Sequence, residues 1–309
     1  MANTLVIDTS FGSTVGVLGH EPIVETDSRT HVEKLQVNIG TAVGSAGLAP
    51  GELDRIVVGV GPAPFTGLRA GIVAAKAIAY ATGAQLLGAD VLEPQAWMMK
   101  LKRQGDDRLA DCGFLATTGK TAGEQHTRHL TLAVNDARRR QLYFALYADE
   151  ENKAEGEHKK PESAVAGERP FVFTAVTMDI DYPQHIVERV LKAIEGLDGV
   201  GAAGEYRIDI VGHGASKYDE AWQGFGESLG QVIDHSVLDA GAAGLQIFTD
   251  CTLASNGFDI AASNDAEAIS DNGNKNGIRP VEPLYLRRPD VSVPNPLKHV
   301  LNHAGATKA

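Results

Sequence analysis

The hydrophobic pattern of the first ninety residues predicts a regular series of strands and helices. Short apolar runs bounded by turn residues predict strands, and apolar residues at steps of three and four predict helices. Thr30 and Glu33 fit a capping box at the start of the first helix. The predicted strands are 5–8, 14–18, 23–26, 55–59 and 85–88, and the predicted helices are 30–47 and 66–81. Three strands followed by alternating helices and strands predict a mixed sheet covered by helices.

A similar pattern returns later in the chain. Apolar runs predict strands at 132–137, 142–148, 171–176 and 208–211, and a stripe of apolar residues predicts a helix at 185–197. The run that ends at Asp136 repeats the layout of the run that ends at Asp8, with a turn and a second run after each. We therefore interpret the chain as two variations on one unit.

The length of 309 residues suggests two domains. We predict an amino-terminal domain over 1–103, a carboxy-terminal domain over 104–287 and a mobile, proline-bounded tail over 288–309. Polar segments that cannot bury much apolar area are interpreted as insertions; these are 119–128, 150–169 and 254–277.

Composition and charge exclude several classes of protein. Two cysteines, Cys112 and Cys251, give no disulfide framework and favour a reducing cytoplasm. We read no signal peptide and no membrane span, because the weakly polar stretch 70–89 is interrupted by polar residues. The net charge of -12 argues against a protein that grips nucleic acid by itself. The one basic run, Arg138 to Arg140, is interpreted as a solvated hairpin turn.

The segment 66–81 is apolar on two sides, which is unusual for a surface helix. Leu68, Ile72, Ala75 and Ala79 form one stripe, and Ala70, Val73, Ala77 and Tyr80 form a second stripe. One stripe belongs to the helix's own sheet. The second stripe predicts cover by another domain or by another chain, and Gly67, Gly71 and Ala75 would let a second helix approach closely.

The segment Gly59–Arg69 has the sequence Gly-Val-Gly-Pro-Ala-Pro-Phe-Thr-Gly-Leu-Arg. It resembles the signature Gly-x-Gly-Pro-Gly-Ser-Phe-Thr-Gly-Leu-Arg of the TsaB family, with Ala63 and Pro64 in place of Gly and Ser. The other matching segments are Leu5–Ser10, Ser28–His31 with Leu35, Leu92–Glu93, Asn135–Arg138 with Tyr143, and Tyr285–Asp290.

This resemblance implies an α/β fold of two ribonuclease-H-like domains of the actin/hexokinase/Hsp70 type, each a mixed sheet flanked by helices. It implies a cytoplasmic, non-catalytic subunit that pairs with the catalytic TsaD-like subunit and works with a TsaE-like ATPase to form threonylcarbamoyladenosine in tRNA. Contact with tRNA would be indirect. The family's first two helices form the contact with TsaD or with a second TsaB copy, which assigns the interface to His31, Leu35, Thr66, Arg69, Ala70, Val73 and Ala77.

Comparison with the catalytic relative implies that the metal centre is absent. The relative holds its metal through a His-x-x-x-His pair, whose positions fall here on Val91 and Gln95. Neither residue is a suitable ligand for iron or zinc. We therefore predict no metal, no cofactor and no catalytic residue.

Two alternatives stay open at this point. Asp8, Thr9 and Ser10 occupy the turn where actin-type kinases bind phosphate, and Gly212 and Gly214 could border an adenine pocket, so a weak, degenerate nucleotide site is an alternative. The chain could then be an ATP-dependent small-molecule kinase, or a metal-dependent peptidase. A homodimer through the same helices is compatible with the favoured function.

Overall fold

The computed structural model describes residues 2–27, 30–115, 128–149, 172–197, 206–258 and 281–286. The predicted tail and nearly all of the three predicted insertions lie outside these residues. Where the predictions overlap with them, Arg128 opens a strand and residues 254 and 255 close a helix, so neither belongs to an insertion.

The first unit is a five-stranded mixed sheet with two helices on its outer side. Its order is β3-β2-β1-β4-β5; β1 is antiparallel to β2 and parallel to β4. The strands are β1 (Thr4–Asp8), β2 (Ser13–Val17), β3 (Ile23–Glu25), β4 (Arg55–Gly61) and β5 (Gln85–Asp90). The outer helices are α1 (His31–Ser45) and α2 (Phe65–Thr82). The predicted capping box is wrong, because the Thr30 side chain makes no cap hydrogen bond.

The second unit repeats this topology. Its sheet order is β10-β9-β6-β7-β8, which is the same order read from the other edge. The strands are β6 (Arg128–Asp136), β7 (Leu142–Asp149), β8 (Val172–Asp181), β9 (Tyr206–Val211) and β10 (Leu229–Ile233). Asp8 ends β1 and Asp136 ends β6. The predicted internal repeat is therefore confirmed, as is the α/β fold with two mixed sheets.

Two helices that the sequence pattern did not predict fill the space between the sheets. These are α3 (Glu93–Gln104) and α6 (Gly241–Ser255), which follow the fifth strand of the first and second unit. Trp97 and Met98 of α3 pack with Leu245 and Phe248 of α6 in one core cluster, which also takes in the inner faces of both sheets. The outer side of the second sheet is covered by α4 (Pro183–Glu195) and the single turn α5 (Asp219–Trp222).

A buried ion-pair network fastens α3 to the second sheet. Arg103 donates to both carboxylate oxygens of Asp149, at 3.0 and 2.7 Å, and to Asp209 Oδ2 at 3.0 Å. It also donates to the hydroxyl of Thr131 at 3.3 Å. The Arg103 side chain is only 10% exposed. The two units therefore share a polar joint as well as an apolar layer.

Two late segments of the chain, α6 and 281–286, pack on the first unit. The helix α6 contacts β2 and β5 as well as α3. In the segment 281–286, the Leu284 N–H donates to the carbonyl of Val60 at 2.7 Å, and Val281 and Leu284 pack against the α1–α2 core. No helix in the described part of the chain is long and apolar enough to cross a membrane.

Candidate functional site

One wall of the cleft between the two units is the turn after β1. Asp8 is buried and accepts hydrogen bonds from the Ser10 hydroxyl at 2.6 Å and from the Ser10 N–H at 3.3 Å. Gly59 lies so close that a Cβ there would come within 2.1 Å of Asp8 Oδ1. Burial raises the pKa of Asp8, although the Ser10 hydrogen bonds and His213 oppose the shift.

The opposite wall is the turn after β9, which carries Gly212 and Gly214. Gly212 has a φ of 126°, and a Cβ there would lie 1.9 Å from the carbonyl oxygen of Val134, so this turn requires glycine. Between the glycines, the His213 ring stacks on Phe11 with centroids 3.9 Å apart, and His213 Nε2 lies 2.9 Å from Asp239 Oδ2. Burial alone would raise the pKa of Asp239, but the hydrogen bond and charge interaction with His213 lower it.

The structure thus brings the predicted nucleotide-site residues to two sides of one cleft, and the protein's own side chains fill the space between them. Phe11 and His213 meet across it, and the cavity that Asp8, Ser10 and His213 line has room for about one water molecule. Thr9 points away and lies against Gly71 of α2. In this conformation the cavity between Asp8, Ser10 and His213 is too small for a nucleotide.

The positions that the sequence equated with the metal ligands also line this cleft. Val91 is buried, and both ends of the Gln95 amide are used: its Nε2 donates to the Val91 carbonyl at 3.2 Å, and its Oε1 accepts from the Val237 N–H at 2.8 Å. Gln95 therefore ties α3 to the segment before α6. Among the residues that the structure describes, no three His, Cys, Asp or Glu side chains are grouped as metal ligands.

The loop between β4 and α2 is held by the second unit. Asn135 Nδ2 donates to the Pro62 carbonyl and the Tyr143 hydroxyl donates to the Ala63 carbonyl, both at 3.3 Å. Ala63 is buried. Asn135 and Tyr143, which belong to one of the segments that carry the family resemblance, thus hold the loop between β4 and α2 in place.

The outer face of the first unit exposes apolar side chains. On α2, Leu68, Ile72 and Ala75 are buried against the sheet, whereas Val73 is 64% and Tyr80 93% exposed. Ala77 is exposed and Ala70 is half-buried. Val73, Ala77 and Tyr80 of the second stripe are therefore left uncovered by the part of the chain that the structure describes. The predicted contact residues Thr66 and Arg69 are exposed as well, and the Arg69 guanidinium lies 4.8 Å from the Phe65 ring centroid.

Two predictions about this face need correction. Leu35 is only 1% exposed and packs in the core between α1 and the sheet, so it cannot be a contact residue. The glycines of α2 do not make room for a second helix: a Cβ at Gly71 would lie 2.4 Å from Thr9 Oγ1, so the close approach is to the chain's own β1 turn. His31 begins α1.

The exposed apolar residue of α1 is Val37, which the sequence reasoning missed. Val37 is 68% exposed, and a Cβ at Gly40 or Gly44 on the same helix would meet nothing within 4 Å. The signal was present in the sequence, because Val37 falls outside the apolar stripe that predicted α1. Together with the second stripe of α2, Val37, Gly40 and Gly44 form what we call the α1–α2 surface.

In a comparison with known proteins, the match to a family model falls on the first unit and α3. Residues 22–109 match the family model described as TsaD, tRNA N6-adenosine threonylcarbamoyltransferase. An uncharacterized protein of Mycobacterium tuberculosis is 34% identical over 156 residues, which are 48% of this chain and 61% of that protein. A tRNA N6-adenosine threonylcarbamoyltransferase of a Ruegeria species is 38% identical over 79 residues, 26% of this chain and 22% of that enzyme. The match with the mycobacterial protein thus spans less than two thirds of its length.

The fold is matched over nearly the whole chain. A crystal structure from Pseudomonas aeruginosa, of a protein described as similar to the peptidase YeaZ (a TsaB-family name), aligns with a TM-score of 0.51 at 18% identity, covering 93% of this chain and all of that one. The chain has a TsaB-like fold. The resemblance found in the sequence is confirmed to that extent. The residues that match the family model include both α1 and α2, the helices that form the α1–α2 surface.

Proposed function

We propose that this chain is a non-catalytic subunit of the machinery that forms threonylcarbamoyladenosine in tRNA, and that it pairs with a TsaD-like catalytic subunit. The observation that carries the proposal is the α1–α2 surface. Its apolar side chains Val37, Val73 and Tyr80 are exposed although the helices that bear them are packed on their own sheet. Large apolar side chains left exposed on helices that are otherwise packed indicate a site of protein interaction.

The family match supports the choice of partner. The segment 22–109 resembles tRNA threonylcarbamoyltransferases, and it contains the first two helices. A relative of the catalytic subunit that presents the same two helices can pair with it face to face, so that each buries the other's apolar stripe. A specific interface of this type buries about 1,600 Å² in total.

The closed cleft supports a role without turnover. A kinase needs space for a nucleotide, and here Phe11 and His213 fill the corresponding space. A metal-dependent peptidase needs ligands, and Gln95 is already bonded at both ends of its amide. Neither alternative gains a specific observation in its favour. In the proposed assembly the TsaE-like ATPase acts on the pair, and chemistry takes place on the partner.

The test is to mix the purified chain with the TsaD-like subunit of the same organism and to measure the complex by light scattering and calorimetry. The double variant Val73→Glu, Ala77→Glu puts two carboxylates into the contact. Because burying unpaired charges is costly, we expect affinity to fall by at least about 100-fold. Both side chains are exposed, so the monomer should stay folded.

The matched control is Phe173→Glu, an exposed apolar residue on the edge strand of the second unit. It should leave pairing unchanged. An undiminished complex with the double variant, or a complex weakened equally by the control, would contradict the proposed interface. Self-association lost in the double variant, without any binding of the TsaD-like subunit, would instead identify a homodimer.

A second measurement tests the absence of catalysis. We expect tRNA modification only when the TsaD-like and TsaE-like proteins are present, with none from this chain alone. Metal analysis and an ATP-magnesium titration of the pure chain address the alternatives. Stoichiometric metal, or tight ATP binding with turnover, would overturn the non-catalytic role.

A further inference from the structure

The tip of the β6–β7 hairpin carries three consecutive arginines in an ordered turn. Arg138, Arg139 and Arg140 are all exposed. The Gln141 N–H donates to the Arg138 carbonyl at 3.0 Å, and the Ala137 N–H donates to the Gln141 carbonyl at 3.1 Å. The turn is therefore closed by backbone hydrogen bonds.

The backbone of this turn is unfavourable for arginine. The φ angles of the three residues are 63°, 52° and 63°, in the left-handed region that residues other than glycine, asparagine and aspartate rarely adopt. Hairpin turns with positive φ ordinarily carry those residues. Three successive arginines therefore oppose the local conformation, and backbone outliers of this kind concentrate at binding sites.

Positive charge accumulates at the turn although the chain as a whole is acidic, with a net charge of -12. The carboxylate next to it, Asp136, is already engaged: its Oδ1 accepts from the Arg138 N–H at 2.8 Å and its Oδ2 from Lys217 Nζ at 3.2 Å. Lys217 thus offsets the charge of Asp136, and the three arginines give the turn its positive charge.

The surroundings of the turn favour a nucleic acid over a simple anion. Through Asn135 and Tyr143 the hairpin contacts the loop before α2. That loop leads to the partly exposed Phe65, whose ring stacks on Tyr285 with centroids 4.9 Å apart and lies under Arg69. An arginine such as Arg69 beside exposed aromatic rings is typical of surfaces that bind RNA.

We propose that Arg138, Arg139 and Arg140 contact the phosphate backbone of RNA. Guanidinium groups match phosphate oxygens in a bidentate geometry, and three adjacent ones follow successive phosphates. That the RNA is the tRNA substrate rests on the proposed function. The turn then gives this subunit a direct contact with tRNA, where the sequence led us to expect only an indirect one.

The test uses a fluorescent RNA stem-loop as probe and the full chain, with binding measured between about 50 and 200 mM salt. Replacing all three arginines by asparagine removes the charge and suits the left-handed backbone, so the fold should be unharmed. We expect about tenfold weaker binding and a slope of log affinity against log salt that is smaller by about 2. Replacing them by lysine keeps the charge and should keep the slope.

Three results would overturn the contact. They are no RNA binding by the parent chain, equal affinity and slope for the parent and the asparagine variant, and binding to anionic phospholipid vesicles in place of RNA. Light scattering with the TsaD-like subunit separates this proposal from the pairing: the asparagine variant should still pair. If the parent chain binds RNA through the turn but does not pair, the proposed function fails and the RNA contact stands.

Discussion

The two units share one strand order, but their outer helices present different surfaces. In the second unit, α4 buries Ile186, Val190 and Ile194 and exposes polar residues such as Gln184 and Glu188. In the first unit, α2 buries an equivalent stripe but also exposes a second one that includes Val73 and Tyr80. The difference lies entirely on the side that faces away from the sheet.

This difference distinguishes the apolar residues that stabilise the fold from those that are exposed for binding. The helix α4 shows that one apolar stripe is enough to cover such a sheet. The second stripe of α2 therefore contributes little to the monomer, and exposed apolar area without a folding role indicates a partner. Among the described residues, α4 exposes no second apolar stripe, whereas α2 does.

The largest effect is expected at the joint between the units. Replacing Arg103 by alanine leaves the buried carboxylate of Asp209 without its cationic partner, which should cost about 3–5 kcal/mol in the free energy of unfolding. Arg108 is the control, since it also pairs with two carboxylates but its side chain is 38% exposed. We expect Arg108→Ala to cost about 1 kcal/mol or less in denaturant titrations. Equal costs would mean that the two units are not joined through Arg103.

The next prediction compares the buried face of α1 with its exposed face. Leu35→Ala opens a cavity in the first unit's core and should cost about 3 kcal/mol, with no direct effect on pairing. Val37→Ala, on the exposed side of the same helix, should change stability by less than about 0.5 kcal/mol yet weaken the complex with the TsaD-like subunit. The reverse pattern in unfolding and binding measurements would restore Leu35 as a contact residue.

The sequence allowed every described strand except β10 to be predicted, but not the two helices between the sheets, for a physical reason. Strands such as β4 are continuous apolar runs, and α4 has a single apolar stripe. The helices α3 and α6 are packed from two sides, so neither has a polar face that would make its periodicity visible. Residues such as Gln95 and Lys100 are buried there despite their polarity.

The residues of the candidate sites were likewise predicted only in part. The analogy with actin-type kinases placed Asp8 and the Gly212 turn in one candidate nucleotide site. It could not predict that His213 would stack on Phe11, or that Gln95 would bind the Val237 N–H, because those partners are far apart in the chain. The second stripe was visible because it departs from the ordinary pattern. Leu35 was misplaced because a motif identifies a residue without saying which way it points.

A moderate, pH-dependent effect is expected at Asp8. Burial raises the pKa of Asp8 in the folded chain, so the folded state keeps this proton to a higher pH than the unfolded state. The contribution of Asp8 to stability therefore falls as pH rises above its unfolded pKa of about 3.9. Asp8→Asn removes this dependence, so its stability relative to the parent should increase from acidic to neutral pH.

The companion variant is Ser10→Ala, which removes the 2.6 Å hydroxyl hydrogen bond that opposes the shift. It should be more destabilising at neutral than at acidic pH, the opposite sign to Asp8→Asn. Thermal or denaturant unfolding across the acidic range measures both. A pH-independent difference for Asp8→Asn would mean that the Asp8 pKa is not raised in the folded chain.

The smallest effect concerns the flank of α2, where the segment 281–286 completes the first unit. The Lys76–Glu282 ion pair spans 3.2 Å between side chains that are 45% and 71% exposed, so Lys76→Ala should cost less than about 0.5 kcal/mol. Leu284 packs against the core of the first unit, and Leu284→Ala should cost about 1–2 kcal/mol. If the lysine variant proved the more costly, the segment would be held by charge. If Leu284→Ala is the more costly variant, apolar contact holds the segment 281–286. In that case the chain itself covers one flank of α2, and the α1–α2 surface is the part that remains for a partner.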